Sequence, residues 1–153
     1  MKLLLTSLIN FLLFSQMTYA ADNSVEIRTK GSSSLIHIDQ IGISNTARVW
    51  CGLSEGNYTT HNCNNAEIDI DQNGTNNVAR AYSQVTLHTG NEYKIEQTGN
   101  DNFGYIDADD DLNNMDVVQD GDSNDGEIYM QGDGNVYSIS QNGDDKEAEI
   151  RAF

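Results

Sequence analysis

Asparagine recurs at positions 91, 102, 113, 124 and 135, five times in succession at a spacing of 11 residues. Glutamine follows at 97, 119 and 141, and glycine at 99, 121 and 143. A fixed period constrains the architecture more than any other sequence property. Each unit of 22 residues reads as two short strands and two tight turns. Such a unit cannot bury its own apolar face and has to stack on copies of itself. The expected fold is therefore all-β, a β-solenoid of five stacked strand–turn–strand coils. It points to an assembly protein rather than an enzyme.

Five coils can be laid out. They start at Ser34, Ala66, Asn91, Asn113 and Asn135 and end at Cys51, Ser83, Ala108, Met130 and Ala152. Extra residues intrude around Cys51 to Cys63 and near His88 to Gly90, and insertions in a solenoid go to loops. Strand side chains alternate between faces. Ser34, Ile36, Ile38 and Gln40 share one face, as do Asn91, Tyr93, Ile95 and Gln97. Second strands follow the same rule with Asn45, Ala47, Val49 and Cys51, or Asn102, Gly104, Ile106 and Ala108. The opposite face carries Asp39, Asp69, Asp71, Glu92, Glu96 and Asp116. One apolar face and one charged face specify the register.

Amides at the ends of the inward face are costly alone, because a buried amide needs partners. Stacked in register, each can donate to one neighbour and accept from the other. The expected ladder residues are Ser34, Gln40, Gly42, Asn45, Gln72, Gly74, Asn77, Asn91, Gln97, Gly99, Asn102 and Asn113, then Gln119, Gly121, Asn124, Asn135, Gln141 and Gly143. Glycine two residues after glutamine supplies a turn angle that other residues resist.

Residues 1–20 read as a secretory signal: Lys2, an apolar run from Leu3 to Phe14, and small residues around Ala20. The run is too short for a membrane span. Residues 21–33 follow as a short N-terminal leader, and 34–153 form the solenoid with an insertion at 52–65. The expected location is extracellular. The chain carries 8 Lys+Arg and 24 Asp+Glu, for a net charge of -16. Without Lys2 this becomes -17 (7 minus 24), which offers no basic patch for nucleic acid. There is no proline, which suits stacked strands. In an exported protein Cys51 and Cys63 are most simply a disulfide. His61 adds a possible three-ligand cluster, at a spacing that matches no common zinc pattern.

The pattern Ser34-x5-Gln40-x-Gly42-x-x-Asn45 resembles the repeat of curlins, the subunits of bacterial curli amyloid fibres. The stretches from Ile68 to Ala79 and from Ile95 to Asn102 are similar to it, and the likeness spans residues 34–152. The resemblance implies a fibre subunit for surface adhesion and biofilm formation. Its implied partners are itself, other curlin subunits and an outer-membrane secretion machinery, with no cofactor. Cys51, Ser83, Ala108 and Met130 replace the second glutamine of the repeat. Lys146 breaks the asparagine column, which resembles the minor, nucleating subunit more than the major one.

Two other classes compete. Asp107 to Asp111 and Asp120 to Asp122 offer oxygen ligands, as in a calcium-binding β-roll, although that fold repeats every nine residues. A monomeric secreted β-solenoid adhesin is the other. No aromatic array marks a binding face, though Tyr82, Tyr105 and Tyr129 fall on the outer side of second strands. His37, His61 and His88 show no catalytic or metal-ligand spacing. Outward charges run from Arg48 and Arg80 in early coils to Glu127 and Glu149 in late ones. Head-to-tail stacking is expected to set Glu149 beside Arg48 and Arg151 beside Trp50.

Overall fold

The computed structural model describes residues 22–29, 34–52, 63, 65–83, 90–108, 113–131, 134 and 136–153, with the backbone of Leu4–Thr6 and Leu12–Thr18. Among them there is no helix. The strands are β1 (Leu4–Thr6), β2 (Leu12–Thr18), β3 (Ser24–Arg28), β4 (Leu35–Ile43), β5 (Thr46–Val49), β6 (Glu67–Thr75), β7 (Glu92–Asn100), β8 (Asn114–Asp120), β9 (Asp125–Gly126), β10 (Val136–Asn142) and β11 (Glu147–Ala148). They form a β-solenoid.

One wall is a parallel sheet in the order β10-β8-β7-β6-β4-β2. Its register aligns Gln40, Gln72, Gln97, Gln119 and Gln141 in a single column. The period of the sequence thus becomes a straight line of identical side chains. The other wall is slighter. It holds β1-β3-β5, the β11-β9 pair, and single bridges from Thr46 to Val78, Val78 to Phe103 and Phe103 to Asp125.

The strands stack in about four turns, where the period predicts five coils. The second strands are fragments. Cys51, Ala81 and Ser83 have positive φ (52°, 81° and 88°), and such backbone cannot extend a strand. In the last coil Tyr137, Ala148, Ile150 and Ala152 are only partly buried. No further strand covers that coil among the described residues, so its inner face stays partly open.

The middle is packed by the alternation. Ile36, Ile68, Ile70, Ile95, Met115 and Val117 are closed off from solvent. Each buried side chain of this size contributes about 1.5–3 kcal/mol. The facing wall is small where the first is large. Tyr93 fits inside because Ala81 and Ser83 oppose it, and its hydroxyl donates to Ser83 Oγ at 3.3 Å. At Gly104 an added Cβ would sit 3.0 Å from Ile95 Cγ2.

Within 21–33, the stretch set apart as a leader, β3 is part of the stack. It pairs in parallel with β5, and Val25 and Ile27 are each 4% exposed. Cys51 and Cys63 are joined in a disulfide that closes the insertion. Its residues 53–62 and 64 lie outside the described residues, as do His61, His88 and Asn135 of the expectations above.

Candidate functional site: amide ladders and strand edges

Glutamine makes the side-chain ladder. Nε2 of Gln40 donates to Oε1 of Gln72 at 2.7 Å, Gln72 to Gln97 at 2.8 Å, Gln97 to Gln119 at 2.9 Å and Gln119 to Gln141 at 2.8 Å. The same nitrogens also donate across to the second wall, from Gln72 to Thr46 O at 3.2 Å and from Gln97 to Val78 O at 3.1 Å. Each glutamine thus joins coil to coil and wall to wall. A buried amide left unpaired costs about 1–3 kcal/mol, so these contacts are obligatory once the side chains are inside.

Asparagine works differently from the expected side-chain ladder. Its Oδ1 accepts the backbone N–H of the next asparagine: Asn77 N to Asn45 at 3.0 Å, Asn102 N to Asn77 at 3.0 Å, Asn124 N to Asn102 at 3.0 Å. Its Nδ2 donates to a glycine carbonyl one coil on, as from Asn77 to Gly99 O at 2.8 Å and from Asn102 to Gly121 O at 2.7 Å. The shorter side chain reaches backbone, not its own copy. Asn124 Nδ2 also makes an amide–amide bond to Asn102 Oδ1, at 3.0 Å. A parallel column on the other corner has Asn113 N donating to Asn91 Oδ1 at 2.9 Å. Ser34 holds that corner in the first coil and donates to Cys63 Sγ at 3.0 Å.

The column reaches beyond the residues assigned to it. Asn45 N donates to Asn23 Oδ1 at 2.8 Å, and Asn23 is buried. Asn23 lies 22 residues before Asn45 (45 minus 23), the same period, so the signal was present. At the other end Lys146 N donates to Asn124 Oδ1 at 3.1 Å, but lysine offers no acceptor to a following coil.

The turns explain the glycines. A Cβ on Gly74, where φ is +138°, would fall 1.8 Å from Gly99 O, and one on Gly42 would fall 1.9 Å from Gly74 O. Backbone stacks on backbone there. Ser44, Asn76, Asp101, Ser123 and Asp145 also have φ between 54° and 59°, each just before the asparagine position. Ser, Asn and Asp tolerate that left-handed conformation best. Asp122 Oδ1 accepts from Asn100 N at 2.7 Å, and Asp144 Oδ1 from Asp122 N at 2.9 Å. These acids are occupied in capping turns.

On the outer face of the first sheet, His37 Nδ1 lies 2.7 Å from Asp69 Oδ1 and 3.8 Å from Asp71 Oδ1. These three form the one group among the described residues whose ligand atoms are close enough for a metal ion. The bond to Asp69 raises the His37 pKa above its usual value. Burial and the neighbouring Asp69 raise that of Asp71. The same face opens into a shallow groove lined by Asp39, Asp71, Glu96 and Asp120.

The second wall carries an aromatic row. Ring centroids lie 4.1 Å apart for Trp50 and Tyr82, 5.4 Å for Tyr82 and Tyr105, and 5.6 Å for Tyr105 and Tyr129. This corrects the expectation that no aromatic array marks a face. Stacking brings together rings more than 20 residues apart in sequence. Arg80 covers Phe103 at 5.1 Å, and Arg28 covers Trp50 at 5.2 Å. Burial and the adjacent Asp107 push the Tyr105 hydroxyl well above its usual pKa.

The ends of the stack differ from its middle. In the first-sheet column that runs Leu12, Leu35, Glu67, Glu92, Asn114, Val136, the interior is polar and the flanking positions are apolar. Leu35 is 40% exposed and Val136 is 77% exposed. On β4, next to β2, Gln40 Oε1 and Asp39 Oδ1 are closed off from solvent without a hydrogen-bond partner. Beyond β10 no further strand is paired among the described residues. The chain matches no family model, no curated protein and no solved structure.

Proposed function

We propose that this chain is a structural subunit of an extracellular curli-type amyloid fibre, self-assembling by edge-to-edge β stacking in the service of cell adhesion and biofilm formation. A β-solenoid is compatible with a structural or adhesive role. The observation that supports the fibre is the in-register glutamine column in a parallel sheet whose last strand, β10, has an open edge. Such edges invite pairing with another chain, and in-register amide columns stabilise cross-β stacks. The resemblance to curlin repeats gives the same reading, and residues 1–20 would direct export. The partners are further copies or related subunits.

The test is thioflavin-T fluorescence of the protein over time, with and without preformed seeds. Fibre formation accelerated by seeds, with 4.7–4.8 Å cross-β diffraction, is the expected result. A protein that stays monomeric and dye-negative at high concentration removes the reading. The aromatic row from Trp50 to Tyr129 favours a second one in that case, a monomeric adhesin binding through that face.

A further inference from the structure

The strand β3 carries Val25-Glu26-Ile27-Arg28, and the last coil ends with Ala148-Glu149-Ile150-Arg151. Glu, Ile and Arg coincide. Both segments pair the arginine with the glutamate two residues before it. On β5, Glu26 lies in register with Arg48, and Arg28 covers the Trp50 ring at 5.2 Å. Continuing the stack by register, a following copy's Arg48 and Trp50 would lie in the columns of Glu149 and Arg151. Thus β3 already occupies, within one chain, the place that another copy's last coil would take.

Two modes of joining differ in charge. If a second copy added on the edge of β3 that β1 holds, its Glu149 would face Glu26 and its Arg151 would face Arg28. Like charges directly opposite are destabilising. If instead the last coil replaces β3, Glu149 meets Arg48 and Arg151 meets Trp50. The first sheet agrees. Replacement sets β10 on β4 in the register Gln141 to Gln40. Gln141 then supplies an amide donor to the orphaned Oε1 of Gln40, Ser140 a hydroxyl to the orphaned Oδ1 of Asp39, and Val136 an apolar neighbour for Leu35. The strand now on β4 is β2, whose register mate for Gln40 is Met17, a residue without an amide donor.

We propose that β3 is an internal stand-in for the last coil of a second copy, and that subunits join by exchange. The Val136–Phe153 segment of one copy displaces β3 from β5 of the next and takes the edge of β4 that β2 holds, an edge left open where residues 1–20 are removed on export. This rests on the polymer reading above and adds its register and its gate.

The test locks β3 in place. Ser24 Oγ and Thr46 Oγ1 are 3.3 Å apart on paired strands, so Ser24→Cys with Thr46→Cys suits a disulfide. In the full chain the locked protein should not extend wild-type seeds, whereas Ser24→Cys alone should extend them as wild type does. A second variant, Glu26→Arg, opposes Arg48 and loosens β3; its lag should shorten about fivefold. Locked protein that elongates at the wild-type rate overturns the exchange and leaves the fibre intact. Unmodified protein that never elongates overturns both.

Discussion

Gln97 Nε2 donates to Gln119 Oε1 at 2.9 Å, and Gln97 Oε1 accepts from Gln72 Nε2 at 2.8 Å. The side chain is 1% exposed, so water cannot stand in for either bond. Gln97→Ala would leave the Gln119 Oε1 acceptor buried and unpaired, while Gln72 Nε2 keeps its bond to Thr46 O. The expected loss is about 1–3 kcal/mol from the orphaned acceptor. Gln141→Ala orphans no glutamine, because Gln119 Nε2 keeps its bonds to Phe103 O and Asn124 O, so its loss should be smaller. Urea denaturation followed by circular dichroism measures both, and equal midpoints for the two variants would contradict the ladder.

Gly74→Ala should be among the worst substitutions in the chain. Its Cβ would meet Gly99 O at 1.8 Å, and φ is +138°. Gly134 also has positive φ, at +63°, but nothing lies within 4 Å of its Cβ position. Gly134→Ala should cost only the left-handed backbone penalty, about 1–2 kcal/mol. Gly74→Ala should lose several times as much melting stability. A similar melting temperature for both would show that the glycine column is not a contact surface.

Stability should rise as the solution is acidified from neutrality. His37, Asp71 and Asp125 all have raised pKa values, through the Asp69 hydrogen bond for the first and burial for the others. A raised group binds its proton more tightly when folded. Its contribution is fully present below the unfolded pKa and fades as pH rises through the folded one. For His37 that window opens above 6.5, and for the two aspartates above 3.8. Chemical denaturation across pH checks the sign. His37→Asn should flatten the profile between about 6 and 8. An unchanged slope there would remove His37 from the account.

Breaking the disulfide should loosen the first coil. Cys51 and Cys63 are both buried, and their separation of 12 residues closes a short loop. Cys51→Ser with Cys63→Ser should cost about 2–4 kcal/mol. The Ser34 contact with Cys63 is lost at the same time. Thermal melting of the double variant under non-reducing conditions reads the loss. A melting temperature equal to wild type would make the bond ornamental.

The first wall was legible because two signals coincide there. Alternation picks the inward face of Ile68, Ile70 and Gln72, and the 22-residue period places Gln97, Gln119 and Gln141 in line. The second wall was less so. Ala81 and Ser83 look like strand residues but take positive φ while staying buried. Asn23 obeys the period but stands apart from any glutamine or glycine, so it was grouped with a leader. Alternation places Tyr82, Tyr105 and Tyr129 on one outer face, but the ring contacts that join them and Trp50 in a row arise only from stacking. The role of asparagine depends on side-chain length, which period alone does not reveal.

From Gln40 to Gln141 every amide bond in the column points the same way. The column is therefore a vector, and its dipoles add, as peptide dipoles do along a helix. A long filament of such units would show partial negative charge at one tip and partial positive charge at the other. A molecule made to blunt one tip would have to be chemically unlike the molecule that blunts the other.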